Sequence, residues 1–403
     1  MSNYILFDDA SRRDLLPLTF TRPIADLRIG ILTIRQKWEQ ALQKPTSTLT
    51  APYLQPLFPM NWDKDDVNVY INASVLPNTH LLEQIQSLSV NEAIVDGKII
   101  IAAKSDRSHP HILHKSTNEQ IPLIDSFLTH LPNAPYQKIN HTWDIFLQNG
   151  IAIQADFEML TKNRTSQIIS KTNTLINPEA IFVEEGASIE GAFLNASKGS
   201  IYIGKNATVM EGSLIRGPFA LCEHGQVKMG AKIYGATTVG PYSKVGGEVG
   251  NSVIWGYSNK GHDGYLGNSV IGAWCNFGAD TNTSNLKNNY GEVKSWNYSA
   301  EDFVPTGQQF CGLTMGDHSK CGINTMFNTG TVVGAAANIF GGGFPPKFIP
   351  SFSWGGSDGL TTYRLDKAVD TARKVYARRS KTFSEMDEEV LKTIFEQTAF
   401  LRK

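Results

Sequence analysis

The stretch that decides the fold is 203-IGKNATVMEGSLIRGPFALCEHGQVKMGAKIYGATTVGPYSKV-245. Every sixth residue in it is apolar: Ile203, Val209, Ile215, Leu221, Val227, Ile233, Val239 and Val245. A period of six is neither helical (3.6) nor that of a simple strand (2). It marks a β-helix, in which each hexad is one short strand and a corner, with its aliphatic residue stacked on the one a coil away. The frame resumes at Ile271 and Phe277, and again at Met315, Cys321, Phe327, Val333 and Ile339, slipped by two residues each time. A functional site is expected at these breaks, where the chain should leave the prism. Upstream, Val183, Ile189 and Ile201 share one frame, with polar Asn195 in its remaining slot.

Beyond Ile339 the run GGGFPPKFIP (341–350) ends the ladder, since neither Gly-Gly-Gly nor Pro-Pro continues one. Leu365, Val369, Ala372 and Tyr376 form a helical stripe, and Ser384 with Asp387 reads as a capping box opening a second helix. These helices are expected to pack against the last coil. The basic run RKVYARRSK (373–381) reads as a solvated helix face.

Residues 1–165 carry no hexads. Tyr4–Phe7 and 67–73 read as strands, 31–43 as a helix, 44–59 as loop, and AIVDGKIIIAA (93–103) as a hairpin about Asp96-Gly97. Strands alternating with helices predict an α/β domain with a mainly parallel sheet. The expected organisation is 1–165 α/β, 166–360 β-helix and 361–403 helical extension.

A chain of 403 residues with net charge −1 and 41% hydrophobic content is globular in composition and shows no nucleic-acid signature. No apolar run is long enough for a membrane span, and the start MSNYILFDDASRR is not a signal peptide. The four cysteines form no CxxC pair, which fits a reducing cytoplasm.

Titratable chemistry near neutral pH points to His262, set among Lys260, Gly261, Asp263 and Gly264 inside the first break. Asn276, Asn282 and Asn285 follow in an amide-rich loop that offers donors and acceptors to a hydroxylated ligand. His224, His262 and His318 form a rival zinc triad, but separations of 38 and 56 residues favour no convergence.

KGHDGYLGNSVIG (260–272) resembles the G-H-x-x-Y-L-G segment of the bifunctional N-acetylglucosamine-1-phosphate uridylyltransferase/glucosamine-1-phosphate N-acetyltransferase family. NFGADTNTSN (276–285) is similar to its N-I-G-A-G-T-x-T-x-N segment, and GPFA (217–220) is shared. The resemblance implies a left-handed β-helix, an N-terminal sugar-nucleotidyltransferase-like domain, and a homotrimer with acetyl-CoA bound between neighbouring β-helices. It implies His262 as catalytic base, with Tyr265, Asn276, Asn285 and Glu248 as substrate contacts.

The chain departs from the family where Leu221, Cys222 and Glu223 replace an Arg after GPFA, and at Leu286. The glycine-rich nucleotide loop is replaced by FDDASRRDLLPLTFTRP (7–23), without a glycine, and the magnesium Asp by Asn72-Ala73-Ser74. Arg12, Arg13 and Arg22 are the candidate triphosphate contacts, with Mg2+ as a possible metal for that domain.

The expected function is acetyl-CoA-dependent N-acetylation of an amino-sugar phosphate, glucosamine-1-phosphate first. Uridylyl transfer from UTP, giving UDP-N-acetylglucosamine for the cell envelope, is the possible second activity. Sugar-1-phosphate nucleotidyl transfer as the main reaction, or a non-catalytic scaffold, are the rival readings.

Overall fold

The computed structural model describes residues 3–61, 67–105 and 127–402. Two compact units result. One comprises 1–15, 21–27 and 32–141, and the other 16–20, 28–31 and 142–403. The division thus falls at 141/142, ahead of the 165 read from the sequence, because the long helix Thr142–Thr161 lies with the β-helix.

The first unit is a six-stranded sheet. Its strands are β1 (Asn3–Phe7), β2 (Thr46–Leu49), β3 (Asn68–Asn72), β4 (Glu92–Asp96), β5 (Ile99–Ser105) and β6 (Leu128–His130), in spatial order β2-β1-β3-β5-β4-β6. β1 pairs parallel with β2 and β3, and β4 with β6, whereas β5 runs antiparallel to both β3 and β4. The sheet is therefore mixed rather than mainly parallel. The Asp96-Gly97 hairpin places β5, not β4, beside β3 and so reverses the direction. β2 lies in the stretch read as loop; its threonine-rich TSTL gains a strand's hydrogen bonds from β1. Helix α1 (Ser11–Asp14) follows β1. Helix α2 (Ile34–Leu42) opens with a Thr33/Gln36 capping box and buries Ile34, Trp38 and Leu42. Asn78 caps α3 (Thr79–Ser87), which buries Leu81 and Ile85.

The second unit is the β-helix that the hexads predict. It has three faces of parallel strands. The first runs from Thr174–Ile176 to Tyr265–Gly267, the second from Ile181–Val183 to Phe348–Ile349, and the third from Ser188–Ile189 to Ser353–Gly356. The eight residues of the opening frame are each at most 2% exposed and form the central part of one continuous apolar column. The upstream slot assigned to Asn195 is filled by Leu194, fully buried and one residue earlier, which removes the apparent polar interruption.

The two breaks differ in kind. Between Val245 and Ile271 the chain does not leave the prism; its coils contract. Lys232 pairs with Glu248 and Lys244 with Asn259, at 16 and 15 residues, where regular neighbours such as Gln226 and Lys244 are 18 apart. At the second break the chain does leave. After Asn285 it makes an antiparallel hairpin (Lys294–Asn297 with Asp302–Pro305), then returns where Cys311 N–H donates to Asn285 O (2.9 Å).

Helix α4 (Thr142–Thr161) was not foreseen. Its buried Asn149 accepts from Gly30 N–H (2.7 Å) and donates to Ala236 O (2.9 Å), and its Asp156 accepts from Ile31 N–H (2.8 Å). At the other end, Phe395 of α6 (Glu385–Gln397) meets Phe352 of the last coil edge to face at 5.1 Å. Tyr376 of α5 (Leu365–Ala377) stacks on Trp274 at 4.1 Å. That contact continues a ladder of rings, His224–Tyr242–Tyr257–Trp274, along the corner between the second and third faces. No helix among the described residues is long and apolar enough to cross a membrane.

Candidate functional site

The site-bearing corner is built by the contraction. Val245 is followed by Gly246-Gly247, and Val249 is the next inward residue, four positions on instead of six. A Cβ on Gly246 would lie 2.6 Å from Gly261 O, and one on Gly247 (φ +72°) 2.8 Å from Gly264 O and 3.0 Å from His262 O. Only glycines there let the 261–264 turn settle directly over the corner below. His262 is carried on that turn, between the third and first faces, and is exposed.

On the first face beside it, coil stacking brings distant residues together. Glu248 and Tyr265 are register partners in adjacent strands. Tyr234, one coil earlier, donates its hydroxyl to Glu248 Oε1. Asn285 Nδ2 donates to Tyr265 Oη (3.0 Å) and to Asn268 Oδ1 (2.8 Å). Gly267 gives these two side chains their room, since a Cβ there would stand 2.2 Å from Tyr265 Oη and 2.7 Å from Asn285 Nδ2. Burial first, then the Glu248 carboxylate, pushes the Tyr234 phenol well above its ordinary range. Burial likewise raises Tyr265. Both hydroxyls therefore remain protonated donors at neutral pH.

Of the residues named from the sequence, Glu248, Tyr265 and Asn285 are thus brought into one cluster, and His262 lies on the adjoining corner. Asn276 stands apart, on the third face, where it accepts from Asn259 Nδ2 (3.0 Å). Tyr234 and Asn268 belong to the cluster and were not singled out. Their only signal was registry, Tyr234 lying opposite Gly250, which in turn lies opposite Gly267. His224 and His318 sit on the corner between the second and third faces, a different corner from His262, so the three imidazoles do not converge.

In the first unit the polar residues gather at the carboxyl ends of β1–β3, where α/β sheets bind ligands. Asp9 accepts from Ser11 N–H (3.1 Å) and Asn72 Nδ2 (3.0 Å) and pairs with Lys138 Nζ (3.1 Å). Burial works to raise its pKa, but Lys138 and these hydrogen bonds outweigh it and hold the carboxyl low. Burial pushes Asp8 up to about 6 despite Arg12, Thr50 and Ile24 N–H. Arg12 is engaged by Asp8 (3.1 Å) and Tyr53 Oη (3.0 Å); Arg13 is exposed and Arg22 half-buried.

These residues do not fit a resident Mg2+. A lysine ammonium already serves the Asp9 carboxylate, and Asn72 turns its amide NH2 to Asp9 and to Ile100 O (2.9 Å). No group of three or more His, Cys, Asp or Glu capable of holding a metal occurs among the described residues.

Residues 4–165 match a family model described as sugar nucleotidyl transferase. No curated protein sequence matches the chain. Among solved structures, the UDP-N-acetylglucosamine acyltransferase from Campylobacter jejuni is 12% identical, covering 57% of this chain and 96% of its own, with a TM-score of 0.23. The polySia-specific acetyltransferase NeuO is 11% identical over 52% of this chain and 94% of its own, at 0.29. The Francisella novicida UDP-N-acetylglucosamine acyltransferase is 12% identical over 57% and 88%, at 0.24. Nothing about this chain's chemistry follows from likeness at that level.

Proposed function

We propose that the β-helix unit is an acetyl-CoA-dependent N-acetyltransferase for an amino-sugar phosphate, with glucosamine-1-phosphate the first acceptor to test. The carrying observation is the hydrogen-bonded Glu248–Tyr234 and Tyr265–Asn285–Asn268 face lying beside an exposed His262. An amine is nucleophilic only when neutral, and imidazole is the side chain suited to accept its proton near pH 7. The neutral nitrogen then attacks the thioester carbonyl; the N–C bond forms and the C–S bond breaks. The nitrogen's second proton ends on the departing thiolate to give the thiol, and the ammonium proton taken by His262 returns to solvent, leaving a neutral amide. Carboxylate, hydroxyl and amide groups on one face suit the hydroxyls of a sugar and supply the positioning. The resemblance at 260–285 supports the donor, the acceptor class and a homotrimer. Four buried, unpaired thiols support a cytoplasmic setting.

The test is thiol release from acetyl-CoA against a panel of amino-sugar phosphates. His262→Ala is expected to lower turnover by about two to four orders of magnitude. A variant that acetylates at the wild-type rate removes His262 from the reaction, and a wild type inactive on every acceptor removes the proposal.

A second reading, sugar-1-phosphate nucleotidyl transfer by the first unit, draws on the match over residues 4–165. Pyrophosphate release from UTP and other nucleoside triphosphates, with and without magnesium, tests it. The Lys138-paired Asp9 leads us to expect none.

A further inference from the structure

The inward column of the third face reads Ile189, Val209, Val227, Val245, Lys260, Phe277, Cys321, Ile339, and one member is a lysine. Lys260 is 3% exposed, in a slot otherwise filled by apolar side chains and one thiol. A buried ammonium is costly unless each N–H finds an acceptor. Here all three do: Nζ donates to Gly246 O (3.0 Å), His262 O (2.6 Å) and Asp263 O (3.2 Å). All three acceptors are backbone carbonyls, and they belong to two successive corners, the glycine corner and the turn above it that carries His262.

We infer that Lys260 is a positioning residue for His262: its ammonium, inside the β-helix, holds the carbonyls of His262 and Asp263 inward and so fixes the turn that presents the imidazole. An inward-facing carbonyl with no donor is unfavourable. With an aliphatic residue at 260 the turn has no reason to keep both carbonyls pointed into the core. The inference rests on the acetyltransferase reading only for its effect on rate; the pinning of the turn stands apart from it. Burial lowers the Lys260 pKa to about 8, opposed by Asp263, Cys321 and Asp280 in that order. The pin therefore weakens in mildly alkaline solution.

The test compares wild type with Lys260→Met, which keeps the length and removes the charge. Amide hydrogen exchange is expected to quicken at Glu248, whose N–H donates to Gly264 O (3.3 Å), and at Tyr265, whose N–H donates to Asn282 Oδ1 (2.9 Å), and not in coils remote from the turn. In the acetylation assay kcat is expected to fall about 10- to 100-fold, with KM for acetyl-CoA within about twofold of wild type. Wild-type kcat is expected to decline above about pH 8, a limb that Lys260→Met lacks. Unchanged exchange at Glu248 and Tyr265, or faster exchange with wild-type kcat, overturns the inference. If the wild type proves inactive, only the functional proposal falls, and the exchange comparison still decides the pin. If Lys260→Met fails to fold, the wild type alone decides: exchange at Glu248 and Tyr265, corrected for intrinsic rates, must rise between about pH 7 and 9.5, and constancy overturns the inference.

Discussion

At the residue scale, the candidate site depends on small groups that make room and on one charge in an apolar column. Gly267→Ala forces the Tyr265 hydroxyl and the Asn285 amide apart while meeting only side-chain ends. Loss of one such hydrogen bond is worth ~1 kcal/mol. KM for the amino sugar is therefore expected to rise about fivefold, with thermal stability lowered by no more than about 1 kcal/mol, as steady-state kinetics and calorimetry would read. Lys260 makes a second prediction, on stability. Its folded pKa of about 8 lies below the ordinary lysine value of 10.5, so the unfolded chain binds more protons between those limits. Stability then gains a positive slope with pH over about 8 to 10.5 as the cost of the buried charge is relieved. Denaturant melts of wild type across that window should show the slope, and Lys260→Met should lack it. Neither residue was legible as such. Lys260 was read only as a neighbour of His262, although Ile254, Lys260 and Leu266 stand six apart in a short frame of their own inside the break.

At the scale of elements, local chemistry and registry divide the explanation. The capping boxes at Thr33/Gln36 and Ser384/Asp387 lie where helices start, because orphan N–H groups at a helix start need acceptors whatever the helix packs on. Ser384→Ala is expected to cost about 1 kcal/mol, measured by denaturant unfolding of the C-terminal helices, without altering the acetylation assay. The hexad frame was equally local, since each buried aliphatic marks its own coil. Contracted coils were not. The frame showed a slip of two residues, yet only the strand pairing reveals that the loss is taken at three corners, at Gly246-Gly247, between Val249 and Ile254, and between Leu266 and Ile271, with no excursion of the chain. The sheet of the first unit shows the same limit. Its strands were visible by composition except β2 and β6, while their order and mixed direction depended on which neighbours β5 found.

At the scale of the whole molecule, the second unit is discontinuous in sequence. Segment 28–31 gives Gly30 and Ile31 N–H to Asn149 and Asp156, and Arg28 O accepts from Trp255 Nε1 (3.2 Å). A fragment beginning at residue 142 loses these bonds and uncovers Trp255 and Asn149, both at most 1% exposed in the intact chain. Each lost buried hydrogen bond costs ~1 kcal/mol before the apolar area is counted. Thermal melts should therefore place the fragment on the order of 10 °C below the β-helix transition of the full chain. An equal melting temperature would make segment 28–31 dispensable.

The sequence by itself determined the β-helix, the helices that begin with a capping box, and the attention to His262. Each depends on a pattern repeated or completed within a few residues, and such patterns survive without knowledge of the partner. Tertiary structure alone decided that Glu248, Tyr265 and Asn285 meet, that Asn276 stands on another face, and that Asp9 is served by Lys138. It also decided that a lysine lies in the apolar column beneath His262. The physical reason is that contacts in a coiled strand ladder are set by coil length. A coil of 15, 16 or 17 residues instead of 18 changes which side chains are neighbours without changing any local preference.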